Sequence, residues 1–206
     1  YLDSTSSDND GSASGDPVQT TSLYGGATPL IPRGFDNAPT VQADAIGTGY
    51  AVFDGSSYIS VADSDNLSFG DDSEDSAFSI SAWVKMTDAQ SFMIISKGVV
   101  DVAGAGHEWV FYTTAYNKIA FYTYDESETA YVGRTYDDES LASYENTWIH
   151  LAGTYDATEA NSGFKIYLNG IQIDDTNFTD GGSYTAIEAG TSAVHIGRYS
   201  GAYAGG

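Results

Sequence analysis

The chain has 206 residues, with 29 Asp and Glu against 7 Lys and Arg, a formal net charge of −22. That balance argues against DNA, RNA or an anionic membrane as partner, because phosphate binding rests on Lys and Arg. No apolar run approaches the length of a membrane span and no signal peptide is visible. There is no cysteine, so disulfides give no argument about redox compartment. A domain of this size buries enough core without them, and the length fits one domain plus a tail. Because the first residue is Tyr1 rather than Met, the chain is expected to be a piece of a longer or processed one.

In chain order, the segment 1–21 is mostly Ser, Asp, Gly and Thr with almost nothing to bury, and reads as a flexible leader or linker. Leu23–Gly47 holds three of the four prolines and no sustained alternation, so it is expected to run extended across a surface. We therefore divide the chain into an arm or linker, 1–47, and a compact domain, 48–206. In the domain, Ala51–Asp54 and Tyr58–Val61 read as a pair of strands around the turn at Asp54-Gly55, followed by an acidic loop, Asp63–Ser76. Phe78–Lys85 alternates cleanly, with Phe78, Ile80, Ala82 and Val84 on one face and Trp83 on the other. Phe92–Lys97 is a further strand and Gly98–Gly106 a small-residue loop. Glu108–Thr113 and Lys118–Tyr124 form a hairpin, Tyr131–Thr135 continues the meander, and Val194–Arg198 is a late strand. No convincing amphipathic helix is found.

The most readable stretch is Asn146–Asp175. Thr147–Tyr155 carries apolar residues on both faces, as a strand inside a packed sheet does. Phe164, Ile166 and Leu168 alternate with Lys165 and Tyr167. Asn169-Gly170 then supplies the dipeptide that best tolerates the two positive φ angles of a type I′ turn. Ile171 and Ile173 follow, and a two-residue loop pairs Leu168 with Ile171 and Ile166 with Ile173, so all these aliphatics are expected on one buried face.

These residues also carry a resemblance. WIHLAGTYD followed by FKIYLNGIQ, with FDGSSYISV at Phe53–Val61, FSISAWVKM at Phe78–Met86 and VHIGRYSG at Val194–Gly201, resembles the laminin-G-like branch of the concanavalin A-like jelly rolls. It covers about residues 50 to 201 and implies an all-β sandwich with an irregular N-terminal arm. Joined to the segment 23–47, the domain is also similar to structural proteins of marine bacteriophages, where such domains decorate tails, fibres or heads. Relatives continue past the IGRYSG-like segment into a closing strand. Its absence is expected to reflect truncation of the sequence rather than a strand donated by another chain.

The resemblance includes glucanases, which set paired carboxylates two apart on one strand as nucleophile and acid. No apolar strand has that spacing. Asp71, Asp72, Glu74, Asp75, Asp125, Glu126, Glu128, Asp137, Asp138 and Glu139 all fall in loops or turns and read as solvated. His107, His150 and His195 lack metal-like spacing or a nucleophile nearby, and His150 reads as a structural histidine. The expectation is no enzymatic activity.

Calcium is the cofactor to consider, because hard cations take loop oxygens. In pentraxin relatives the loop matching Gly98–His107 supplies calcium ligands, which makes Asp101 and Glu108 candidates here. The segment after Ile196 lacks the further carboxylates of a pentraxin-type double site. A single ion held by Asp54, Asp71 or Asp156 rests on residue type alone.

Glycan binding is the usual activity of the fold, and it needs aromatic faces with polar groups around them. Trp83, Tyr112, Tyr122 and Tyr124 lie opposite the core faces of their strands, with His107 in the bordering loop. They are the candidate platform. The expected role is thus a surface-exposed structural or adhesion module of a virion or extracellular assembly, with carbohydrate recognition as its activity and other structural subunits docking through residues 23–47. A dedicated lectin-like domain is the alternative, and a glucanase-like hydrolase a distant third.

Overall fold

The computed structural model describes residues 11–14, 40–42, 50–98, 106–136, 138–173 and 178–198. In chain order the strands are β1 (Gly11–Ser14), β2 (Thr40–Gln42), β3 (Tyr50–Val52), β4 (Tyr58–Val61), β5 (Phe78–Val84), β6 (Met93–Lys97) and β7 (Trp109–Thr113). They continue with β8 (Ile119–Asp125), β9 (Ala130–Thr135), β10 (Ile149–Tyr155), β11 (Phe164–Leu168), β12 (Ile171–Gln172), β13 (Phe178–Gly181) and β14 (Val194–Ile196). Among the described residues there is no α-helix, only 3-10 turns at Asp65–Leu67, Leu141–Tyr144 and Asn161–Gly163. Among the described residues no helix is long and apolar enough to cross a membrane.

Among the described residues one sheet has eight strands in the order β1-β4-β14-β6-β7-β8-β9-β13, the sheet facing it has four, β12-β11-β10-β5, and β2 and β3 form a separate pair. Every pairing is antiparallel. This is the all-β jelly-roll sandwich that the resemblance implies. The alternation sorts each strand: in β5, Phe78 and Val84 are buried while Ser79, Ser81 and Trp83 are exposed. In β10, Ile149, Leu151, Gly153 and Tyr155 turn inward.

Aromatic rings from both sheets form the centre. Phe121 meets Phe78 edge-on at 5.4 Å, Phe164 at 5.1 Å and Phe111 at 5.7 Å, and Tyr155 stacks on Phe164 at 4.3 Å. Phe111, Phe121 and Phe164 are wholly buried. Each such ring removes a large apolar area from water and adds a favourable edge or offset contact. Gly153 makes this closeness feasible, since a Cβ there would lie 2.7 Å from the Phe121 ring.

The hairpin of β11 and β12 has the expected register, Leu168 opposite Ile171, with Asn169 and Gly170 at φ 51° and 81°. Ile171, however, is 69% exposed, because β12 is a two-residue edge strand at the hairpin tip. β3 and β4 do not pair with each other as expected. β3 pairs with β2, and β4 lies between β1 and β14. Both hydrogen-bonding edges of β4 are thus taken, which leaves none for β3; between the two strands the Asp54 carboxylate accepts from the Ser56 and Ser57 amides and closes a turn. In the stretch read as a flexible leader, Gly11–Ser14 adds to the outer edge of β4. Of the arm Leu23–Gly47, only Thr40–Gln42 falls among the described residues.

The four-stranded sheet is narrower than its partner. β5 is its last strand among the described residues, and beside it a slot of 340 Å³ opens between the layers. Ile80 of β5 and Val61, Ile95, Val194 and Ile196 of the larger sheet line it.

Gly153→Ala should lower stability by about 1–3 kcal/mol, because the methyl group must displace a fully buried ring. Urea unfolding measures this; an unchanged midpoint would show that the ring can shift without cost.

Candidate functional site

With Trp109, Phe111 and Phe121 pointing into the core, their neighbours on β7, β8 and β9 point the other way. Met93, Val110, Ala120 and Tyr122 are buried there, and Tyr112, Tyr124 and Tyr131 pack half-buried around them. Ring centroids are 6.0 Å apart for Tyr112 and Tyr122, 6.0 Å for Tyr122 and Tyr131, and 6.2 Å for Tyr124 and Tyr131. His107 extends the row, 5.1 Å from Tyr124. Its Nδ1 lies 2.6 Å from Glu126 Oε1, which also accepts from the His107 amide.

Two glycines set the tilt of these rings. Tyr122 lies over Gly133, where a Cβ would come within 2.0 Å of it, and Tyr131 lies over Gly181, where the distance would be 2.5 Å. In both cases ring and glycine face each other across paired strands. The Tyr122 hydroxyl pairs with that of Thr135, so the array is held by packing and by a hydrogen bond.

Tyr112, Tyr122, Tyr124 and His107 are thus brought together. Trp83 is not among them: β5 belongs to the other sheet, and Trp83 projects from its far face, 50% exposed and 5.3 Å from the His150 ring. Tyr131 completes the array and was not part of the expected platform. Its position directly opposite Tyr124 was available from the hairpin alternation.

The residues considered for calcium lie apart. Asp54 Oδ1 accepts from the Ser56 amide and hydroxyl and the Ser57 amide, and Asp71 Oδ1 from the Ser73 amide and hydroxyl and the Glu74 amide. Asp156 Oδ1 accepts from the Thr158 amide. Glu108 is wholly buried with Oε1 2.9 Å from the Lys97 ammonium, which also lies 2.6 Å from Asp63 Oδ1. The cation beside Glu108 and Asp63 is therefore the protein's own. Burial pushes the Glu108 carboxyl up, against the pull of Lys97. Asp101 lies outside the described residues, and no group of three or more metal-type side chains occurs among the described ones.

Three acidic residues expected to be solvated are instead structural. Asp125 Oδ2 accepts from the Thr185 amide at 2.8 Å, Asp75 Oδ1 from Ile187 at 2.7 Å and Asp72 Oδ1 from Ala189 at 3.0 Å, and the calcium candidate Glu108 accepts in the same way through Oε1 from Gly190 at 3.0 Å. Asp75 Oδ2 also accepts from the Tyr155 and Tyr184 hydroxyls. Burial, and after it the Asp75 carboxylate, pushes both phenols well above their usual range.

A laminin-G domain model described as the concanavalin A-like lectin/glucanases superfamily matches residues 53–206. No curated protein matches the sequence. Among solved structures, the botulinum neurotoxin serotype G binding domain is similar, at 20% identity and a TM-score of 0.43. That likeness covers 77% of this chain and 42% of the other.

Two outcomes follow from the electrostatics. Lys97→Met leaves Glu108 and Asp63 without their ammonium and should cost about 3–5 kcal/mol; a loss under about 1 kcal/mol in urea unfolding would show that the buried pair holds little. The Ser56 amide and hydroxyl, with those of Ser57, bring the Asp54 carboxyl from 3.8 down to about 2. Because the folded value is depressed, its stabilising share is present above pH 3.8 and is lost as pH falls through about 2. Carbon NMR of the Asp54 carboxyl should titrate near 2, and a midpoint at 3.8 would contradict the turn.

Proposed function

The chain belongs to the concanavalin A-like lectin/glucanase superfamily, and we propose that it is a carbohydrate-recognition module that performs no chemistry. The tyrosine array on the outer face of the eight-stranded sheet carries this reading. Half-buried rings fixed by their neighbours present apolar faces for sugar rings at little entropic cost, and hydroxyls at their rims meet sugar hydroxyls. Tyr112, Tyr124, Tyr131 and His107 are the contact residues, with Tyr122 as the support beneath them.

The absence of hydrolysis is supported by what borders the array. Retaining and inverting glycosidases need two carboxylates across the bond. The strand positions beside the tyrosines carry Ser96, Val110, Ala120 and Gly133, and Glu126 at the margin is already engaged by His107. The proposed setting is the surface of a virion or other extracellular assembly, with other subunits docking through residues 23–47. The strongly acidic composition and the proline-bearing segment ahead of the domain support it. A calcium requirement has only Asp101 and the loop carboxylates to rest on and is carried as a separate arm of the test.

A glycan array probed with calcium and again with chelator should give saturable binding to a defined glycan. Tyr124→Ala should weaken that binding about tenfold, or 1.4 kcal/mol, with unchanged circular dichroism. Chelator-sensitive binding would add an ion, and full binding by the Tyr124→Ala and Tyr131→Ala variants would remove the array as the site.

A further inference from the structure

The strand registers give the tyrosine array a direction and a length. Tyr112 on β7 stands opposite Ala120; Tyr122 follows two residues along β8 and Tyr124 two further, with Tyr131 opposite it on β9. The rings therefore run obliquely from β7 to β9 over about 14 Å of strand, in steps of about 7 Å. His107 continues the row past Tyr124 at 5.1 Å. Beyond Tyr112, at the opposite end, the turn between β7 and β8 carries Tyr116, 81% exposed. That turn lengthens the track by about one more step of 7 Å.

Tyr116 is held by its backbone and not by packing of its ring. Its amide donates to Thr114 Oγ1 at 3.2 Å, and the Asn117 amide donates to the Thr114 carbonyl at 3.0 Å. Gln90 Nε2 donates to the Ala115 carbonyl at 2.7 Å, and the Leu141 amide to the Asn117 carbonyl at 2.8 Å. A tyrosine ring on a fixed turn offers a large contact area and loses little entropy when a ligand covers it.

The track is uncharged along its strands. Asp125 and Arg134 are buried on the inward side, and no other Asp, Glu, Lys or Arg occurs on β7, β8 or β9. A net charge of −22 opposes a polyanion, and a polycation finds no carboxylate there to pair with. Neighbouring ring planes meet at 49°, 77°, 47° and 41° along the row, so no flat surface lies against all of them. The face of a crystalline polysaccharide would meet one ring. A single hydrated chain can turn each sugar to the ring it meets, whereas a monosaccharide covers one step. On the reading of the array as a carbohydrate site, we propose that its ligand is the interior of a single neutral, linear polysaccharide chain, several sugar units long. Tyr116 is the contact residue at one end of the track.

The test runs the full chain through native gels containing soluble mixed-linkage glucan, glucomannan or xylan. Calorimetric titration follows, with the one- to six-unit oligosaccharides of each polymer that retards the protein. Affinity should rise at least tenfold from disaccharide to hexasaccharide, and Tyr116→Ala should lower hexasaccharide affinity severalfold. Trp83→Ala, on the other sheet, should leave it unchanged, and thermal unfolding of both variants checks the fold. Pelleted crystalline cellulose should leave the protein in solution. Equal affinity for monosaccharide and hexasaccharide, full hexasaccharide affinity of Tyr116→Ala, or removal of the protein by crystalline cellulose overturns the proposal and leaves the recognition reading standing. If no polymer retards the protein, the glycan array separates the two. Binding there to terminal or branched sugars overturns this proposal alone, and an array without binding overturns both.

Discussion

Four carboxylates from three separate segments accept from the amides of one extended stretch, Thr185–Gly190. Asp72 and Asp75 come from the loop that leads into β5 of the smaller sheet; Glu108 and Asp125 come from the start of β7 and the end of β8 of the larger. The stretch therefore ties the two layers together at one end of the sandwich, with Ile187 wholly buried beneath it. Hydrogen bonds to an ionised acceptor are the stronger kind. Here they join parts of the chain that no local preference would bring together, Asp75 and Ile187 being 112 residues apart. Lys97, held between Glu108 and Asp63, fixes the ends of β6 and β7 in the same region.

With those strand ends fixed, the middle of the larger sheet can put its two faces to different uses. Inward, Trp109, Phe111 and Phe121 join the common core. Outward, the tyrosines lie over glycines of neighbouring strands, which removes the usual choice between a strand weakened by glycine and a ring standing free in water. The smaller sheet divides in the same manner, apolar within and carrying lysines and Trp83 without. Each layer thus has an independent exterior surface on a shared interior.

Much of this was legible in the sequence, for a physical reason: period-2 alternation reports which side of a strand a residue occupies. It gave the inward set Phe164, Ile166 and Leu168, the turn at Asn169-Gly170, and the outward direction of Tyr112, Tyr122 and Tyr124. Alternation does not report which sheet a strand joins. That is why Trp83 looked like a companion of the tyrosines when it stands on the opposite exterior. Nor does it distinguish a solvated carboxylate from an acceptor for a distant amide, so Asp72, Asp75 and Asp125 read as loop charge. The exposure of Ile171 has a similar origin: its register was correct, but the pattern contains nothing about how far the opposite layer extends.

The anchoring of Thr185–Gly190 has a consequence for how the domain can change over time. The four carboxylate contacts are made to main-chain amides, three of them at alternate residues, so exposed side chains such as Thr185 and Ala189 are open to replacement without loss of the anchors, whereas Glu188 also accepts from the Ser127 amide. Length is not open in the same way. Inserting or deleting one residue would turn the Thr185, Ile187 and Ala189 amides away from Asp125, Asp75 and Asp72 together. The stretch should therefore diverge at its exposed positions, Thr185 and Ala189, among descendants of this domain while keeping the buried Ile187 and its residue count.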